Sequence, residues 1–148
     1  MTGGCGDTVS AGMESVSVRC EDGTFDVLER GKGGFSLDPL RLERLYWDEV
    51  RRATFGVARF SRGGIRLFGL WPVVLRFGPP VDGRREIVGG LMARRPGGSI
   101  AWRADGGQSS IAVERYAPLL RGTLWRLQLS FHCLVGRRFL ARIAGEAR

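Results

Sequence analysis

The sequence predicts an α+β fold, with a curved antiparallel sheet of about six to seven strands wrapped around a long C-terminal helix and one helix near the N-terminus. Three observations predict it. Short β-compatible segments follow one another between Gly- and Pro-rich turns over residues 56–117. An Asp-Pro step opens an amphipathic helical stretch before them. A segment too long for one strand, apolar at helical spacing, comes after them.

Taken in order, residues 1–14 are rich in Gly, Ser and Thr and read as a flexible N-terminal tail. Residues 15–148 then form a single domain, long enough for a real core. Residues 16–30 (VSVRCEDGTFDVLER) place Asp22-Gly23 between β-compatible flanks, which signals a strand or a small hairpin. The following GKGGF is a loop. It is not a phosphate-binding loop, because Gly33 follows Lys32 where Ser or Thr is required. Asp38 as N-cap and Pro39 at the first helical position start a helix, with Leu42, Leu45, Tyr46 and Val50 near one face and Gly56 as its end. Six strands are then expected at GVARF, GIRLFGL, VVLRFG, REIVGGLMA, SIAWRA and SSIAVERYA. Links as short as SRGG, PPVDG and DGGQ imply an antiparallel meander, since parallel pairs need longer crossovers. Gly89-Gly90 inside one strand predicts a bulge or bend.

The stretch RLQLSFHCLVGRR (residues 126–138) fits two periods, but strand alternation fails at Leu134-Val135. On a helical wheel centred on Phe131, Leu124, Leu127, Leu134 and Val135 fall within about 60°. Trp125, Leu129, Phe139, Leu140 and Ile143 widen the apolar arc on one side, and Arg126, Ser130 and Arg137 lie opposite. The segment is therefore read as a helix centred on a buried Phe131. Gln128 and His132, one turn apart, are the polar residues inside the arc. They are either core residues satisfied by backbone, by each other or by Glu114, or the polar anchors of an apolar pocket. Without a carboxylate nearby, burial should hold the imidazole pKa below its ordinary value.

The charge is +8, and it is uneven. Residues 1–30 hold six acidic and two basic residues, and residues 31–148 hold nine acidic and twenty-one basic ones. All basic residues but Lys32 are arginine, which base composition alone can produce. In a meander, alternate turns share one end, so Arg62, Arg84 and Arg85 are expected at one rim, where they would suit phosphates or an anionic lipid surface. No RRM, KH or zinc-finger signature accompanies them. No apolar run approaches the ~20 residues of a membrane span, and no signal-peptide pattern is visible, so a cytoplasmic location is expected. Cys5, Cys20 and Cys133 are too scattered for a disulfide framework, and a single histidine argues against a metal site. No cofactor motif is found.

No nucleophile elbow or Cys-His pair is visible, because Cys133 points about 100° away from His132 on a helix. Asp48-Glu49 reads as a solvated helix face. Glu114 is expected to pair with a strand arginine such as Arg103. No catalytic residue is therefore assigned, and the reading leans away from an enzyme.

The predicted order, together with EIVGGLMARRPGGSIAW, VERYAPLL and QLSFHCLVGRRFLARI, resembles the helix-grip, or START-like, superfamily, which includes bacterial polyketide cyclase-like proteins. The resemblance covers residues 16–144 and departs in one respect. One helix precedes the sheet where the superfamily usually has two short ones. It implies a cavity between sheet and C-terminal helix that binds a small apolar or amphipathic molecule, with an anionic head suiting the arginines. His132, Gln128, Trp102, Trp47, Tyr116 and Phe131 are the candidate ligand-binding residues. The alternatives are nucleic-acid or anionic-membrane binding through the arginines, or a protein-interaction domain without a small ligand.

Overall fold

The computed structural model describes residues 13–32, 37–120 and 123–146. The expected tail lies outside them except for Met13 and Glu14, with which the first strand opens. The elements in chain order are β1 (Met13–Glu21), β2 (Thr24–Lys32), α1 (Pro39–Ala53), β3 (Ala58–Ser61), β4 (Gly64–Leu67), β5 (Val73–Phe77), β6 (Arg84–Gly89), β7 (Gly98–Asp105), β8 (Gln108–Tyr116) and α2 (Trp125–Glu146).

All eight strands belong to one antiparallel sheet of order β1-β2-β8-β7-β6-β5-β4-β3. The six meander strands lie where the sequence places them. Among the described residues the total is eight rather than six to seven, because residues 13–32 form a complete hairpin. Its turn is Asp22-Gly23, with φ of 50° and 71°, the conformation that Asp-Gly accommodates in a two-residue hairpin loop. Two of the meander strands end earlier than expected, β4 at Leu67 and β6 at Gly89. Beyond it, a Cβ on Gly90 would sit 2.5 Å from the Val74 carbonyl oxygen, so the chain passes β5 closely only because no side chain is there. The register shift between Arg76 and Phe77 on β5 is the irregularity that Gly89-Gly90 predicted.

Neighbours in the sheet are neighbours in sequence except at β2 and β8. There α1 carries the chain from β2 across to the far edge at β3. The helix starts at Asp38-Pro39, although the Asp38 side chain makes no capping bond, and Gly56 N–H closes its end on the Arg51 carbonyl. Its buried face holds Leu42, Tyr46, Trp47 and Val50. Trp47 stacks on Phe60 with ring centroids 4.5 Å apart, and Tyr46 and Trp47 both pack on Trp102. α2 packs on β1, β2, β8 and α1.

α2 is helical as predicted, but its buried face is rotated from the expected one. Phe131 is 39 % exposed, and Leu124, Leu127 and Leu134 are more exposed still. The buried residues are Leu129, Cys133, Val135, Phe139, Leu140 and Ile143. Gly136 lies among them and faces β2. A Cβ there would overlap the Glu29 carboxylate, so the bare backbone is what lets the helix close on this side.

Asp48-Glu49 also differs from expectation. Glu49 is buried, and its carboxylate meets Arg142 at 3.0 Å and Arg52 at 3.4 Å, while Asp48 meets Arg142 at 2.7 Å. The pair ties α1 to α2 rather than facing water. Glu114 pairs with Arg84 at 3.2 Å, not with Arg103. No helix is long and apolar enough to cross a membrane among the described residues.

Candidate ligand cavity

A cavity of about 280 Å³ lies between the sheet and the two helices. The strands supply Phe25, Ile65, Leu75, Phe77, Ile87, Ile100 and Val113 to its wall, and α1 supplies Tyr46, Trp47 and Val50. α2 supplies Gln128, Phe131 and His132. Among the described residues no charged side chain lines it. Its polar lining is Tyr46, Thr54, Tyr116, Gln128 and His132.

Apart from Thr54, which bonds the backbone around the end of α1, these polar groups fall into two clusters, one helical turn apart on α2. In the first, Gln128 Nε2 donates to Tyr116 Oη at 2.5 Å and to the Met92 carbonyl at 3.2 Å, while the Tyr116 hydroxyl donates to the same carbonyl at 2.5 Å. Gln128 Oε1 is buried with no hydrogen-bond partner. Burial, partly offset by the Gln128 hydrogen bond, holds the Tyr116 phenol well above its usual range.

The second cluster is three residues in close contact, in which His132 Nε2 and both Glu29 carboxyl oxygens are buried without a hydrogen-bond partner. Tyr46 Oη lies 3.4 Å from His132 Nδ1, and His132 Nε2 lies 3.3 Å from Glu29 Oε1. Glu29 sits on β2 with no exposed surface, behind the histidine as seen from the cavity. Desolvation pushes the Glu29 carboxyl up to about 8 against the opposing field of the Arg137 guanidinium, and burial lowers His132 to about 4. Burial also holds the Tyr46 phenol protonated. Near neutral pH the cluster is therefore uncharged, with the glutamate protonated and the imidazole neutral.

Of the six residues assigned to ligand binding from sequence, His132, Gln128, Tyr116, Trp47 and Phe131 line this one cavity. Phe131 does so from a partly exposed position rather than from the core. Trp102 does not line it. Its side chain is buried behind the wall against Tyr46 and Trp47. His132 and Gln128 do not bond each other, and neither uses Glu114. The residue the sequence reading missed is Glu29. A signal for it existed: Phe25, Val27 and Glu29 alternate along β2, and all three side chains are buried on one face.

The three arginines assigned to anion binding do not form one free patch. Arg84 and Arg85 are adjacent on β6 and so point to opposite faces of the sheet. Arg85 is turned inward, ion-paired with the buried Glu43 and lying over the Phe60 ring. Arg84 is paired with Glu114, and Arg62 occupies the β3–β4 turn. Among the described residues no cluster of His, Cys, Asp and Glu is placed to hold a metal ion.

Compared with protein-family models, with curated proteins and with solved structures, the chain matches none.

Proposed function

We propose that this protein binds a small, mainly apolar molecule in the cavity between the sheet and its two helices, without transforming it. One observation carries the reading. Five residues chosen from sequence as ligand-binding line a single apolar cavity. Small-ligand sites have this makeup, a mostly apolar wall with a few polar groups that fix orientation. The reading extends to the architecture, as a sheet that curves around α2 in the manner of the helix-grip superfamily. An anionic head within the cavity has no support, because no arginine among the described residues lines it.

The test is native mass spectrometry of protein purified from its host, followed by titration with the neutral apolar dye N-phenylnaphthylamine. The expected results are a co-purifying small molecule or a saturable dye site, weakened when Val113→Trp fills the cavity. Unsaturable dye partitioning, unaffected by that substitution, refutes the reading. Binding of nucleic acid or an anionic surface through Arg84 and Arg85 has no comparable observation behind it, since they are held by Glu114 and Glu43.

A further inference from the structure

Among the described residues six tight turns hold two successive residues in the left-handed region, with φ from 49° to 83°, and the second is always glycine. At four of them the first residue is Asp22, Arg62, Asp82 or Gly106. At the other two it is Phe55 and Phe68, each with φ of 53°. Gly, Asn and Asp enter this conformation at least cost, and a bulky aromatic residue is disfavoured there. Burial does not compensate, since Phe55 is 97 % exposed and Phe68 67 %. The two turns are neighbours. Phe68 N–H donates to the Val57 carbonyl at 2.6 Å, and Arg59 Nε donates to the Gly56 carbonyl at 2.9 Å while the arginine stem passes Gly69. Leu70 and Trp71, at the same end of the β3–β4 hairpin, are also exposed. Leu91, whose N–H donates to the Val73 carbonyl at the start of β5, adds a fifth exposed apolar side chain.

The charge around these side chains is of one sign. Residues 50–81 hold six arginines and no acidic residue. Arg59 and Arg66 are register partners on β3 and β4, so both lie on one face of the hairpin. Among the described residues each bonds only a backbone oxygen, that of Gly56 or Leu70. Like charges directly across a ladder repel, and an anion placed at both relieves them. We propose that this end of the molecule docks on a lipid bilayer carrying anionic phospholipid. Phe55, Phe68, Leu70, Trp71 and Leu91 enter the boundary between head groups and acyl chains, and Arg59 and Arg66 meet the phosphates. A contiguous apolar patch of this kind marks an interaction site, and its surroundings select the bilayer. A second copy docked through the same patch about a two-fold axis would bring two sets of uncompensated arginines into one interface. A nucleic acid would stack on the aromatic rings but has no use for Leu70 and Leu91, whereas acyl chains take all five. None of these residues lines the cavity, so the proposal stands apart from the ligand-binding reading.

The experiment sediments the full chain with vesicles of phosphatidylcholine alone and of phosphatidylcholine with about 30 % phosphatidylglycerol, at about 0.15 M salt. Binding is expected to be tighter on the phosphatidylglycerol vesicles. Arg59→Gln with Arg66→Gln should weaken it about twenty- to thirtyfold, at about fivefold for each charge brought to the surface. Phe55→Asn with Phe68→Asn should weaken it at least about tenfold. The same asparagine pair should hold or raise the melting temperature, because asparagine suits the left-handed conformation better than phenylalanine does. Lost binding together with a lower melting temperature assigns the phenylalanines to the fold and overturns the proposal. Binding that the asparagine pair leaves unchanged also overturns it, as plain adsorption of a basic protein. Equal binding to the two kinds of vesicle overturns the choice of anionic lipid. No sedimentation with either kind overturns the proposal outright, whether the chain then proves to bind single-stranded DNA or to dimerise.

Discussion

A glutamate in the core of a basic protein is costly unless its charge is suppressed or paired, and at Glu29 it is suppressed. This has a consequence for stability that can be worked out from two titrations. In the unfolded chain the glutamate titrates near 4.5 and the histidine near 6.5, while in the folded protein they titrate near 8 and near 4. Between about pH 4.5 and 6.5, folding moves one proton from the imidazole to the carboxyl without changing the number bound, so the pair leaves stability level. Above about 6.5 the unfolded chain has released both protons while Glu29 retains its own. Stability therefore falls as pH rises through the window from about 6.5 to about 8, by roughly 2 kcal/mol. Urea denaturation of the wild type at the two ends of that window should show this fall, and Glu29→Gln should remove most of it. An equal fall in both proteins places the titrating group elsewhere. His132 was legible in the sequence as an inward-facing neutral imidazole. Its partner was not, because the pairing joins a strand to a helix more than a hundred residues away, and a search near the helix points to Glu114 instead.

At the scale of elements, α2 shows what periodicity can and cannot decide. Its apolar arc covers so much of the wheel that helix follows from the spacing but the buried face does not. The face is selected by contacts with other elements, namely the space that Gly136 leaves for Glu29 and the docking of Phe139, Leu140 and Ile143 against the sheet and α1. Two substitutions measure this. Phe139→Ala, at a position with no exposed surface, should cost about 3–5 kcal/mol, whereas Phe131→Ala should cost about 1 kcal/mol or less. Equal costs in denaturant titrations would restore the Phe131-centred face. Gly136→Ala tests the close approach itself. Alanine is ordinarily worth about 1 kcal/mol over glycine within a helix. Here its methyl group collides with the Glu29 carboxyl, so a loss of about 1–3 kcal/mol is expected instead. The loss should shrink, or become a gain, when Glu29→Ala clears the space. The sheet was far more legible than the helix face. Each tight turn carries its own chemistry locally, as Asp22-Gly23 does, and needs no knowledge of distant contacts.

At the scale of the molecule, the topology sets a problem that the two helices solve together. β2 pairs with β8, so the N-terminal hairpin and the end of the meander meet, and the one long excursion of the chain is α1, crossing to β3. The cavity collects residues from both helices and from seven of the eight strands. No local pattern reveals such a space, which is why the sequence pointed to its lining residues without establishing its extent. The integrity of the space depends on how α1 and α2 are held against each other. Their ion pairs supply part of that hold: Arg142 bonds Asp48 at 2.7 Å and the buried Glu49 at 3.0 Å, and the Asp48 hydrogen bond in turn holds that carboxyl below the usual range. Arg142→Met keeps most of the apolar stem and removes the charge. Since Arg142 and Asp48 are both partly open to water, and Arg52 and Arg138 remain near Glu49, the cost is expected to be about 1–2 kcal/mol rather than that of a fully buried pair. Salt separates the contributions. At about 1 M salt the share owed to the partly exposed Asp48 should be screened, so the difference between wild type and variant should narrow but not vanish, because Glu49 is shielded from the solution. A difference that does not change with salt would assign the effect to packing of the arginine stem, and no difference at all would mean that the apolar contacts of α2 hold the helices together unaided.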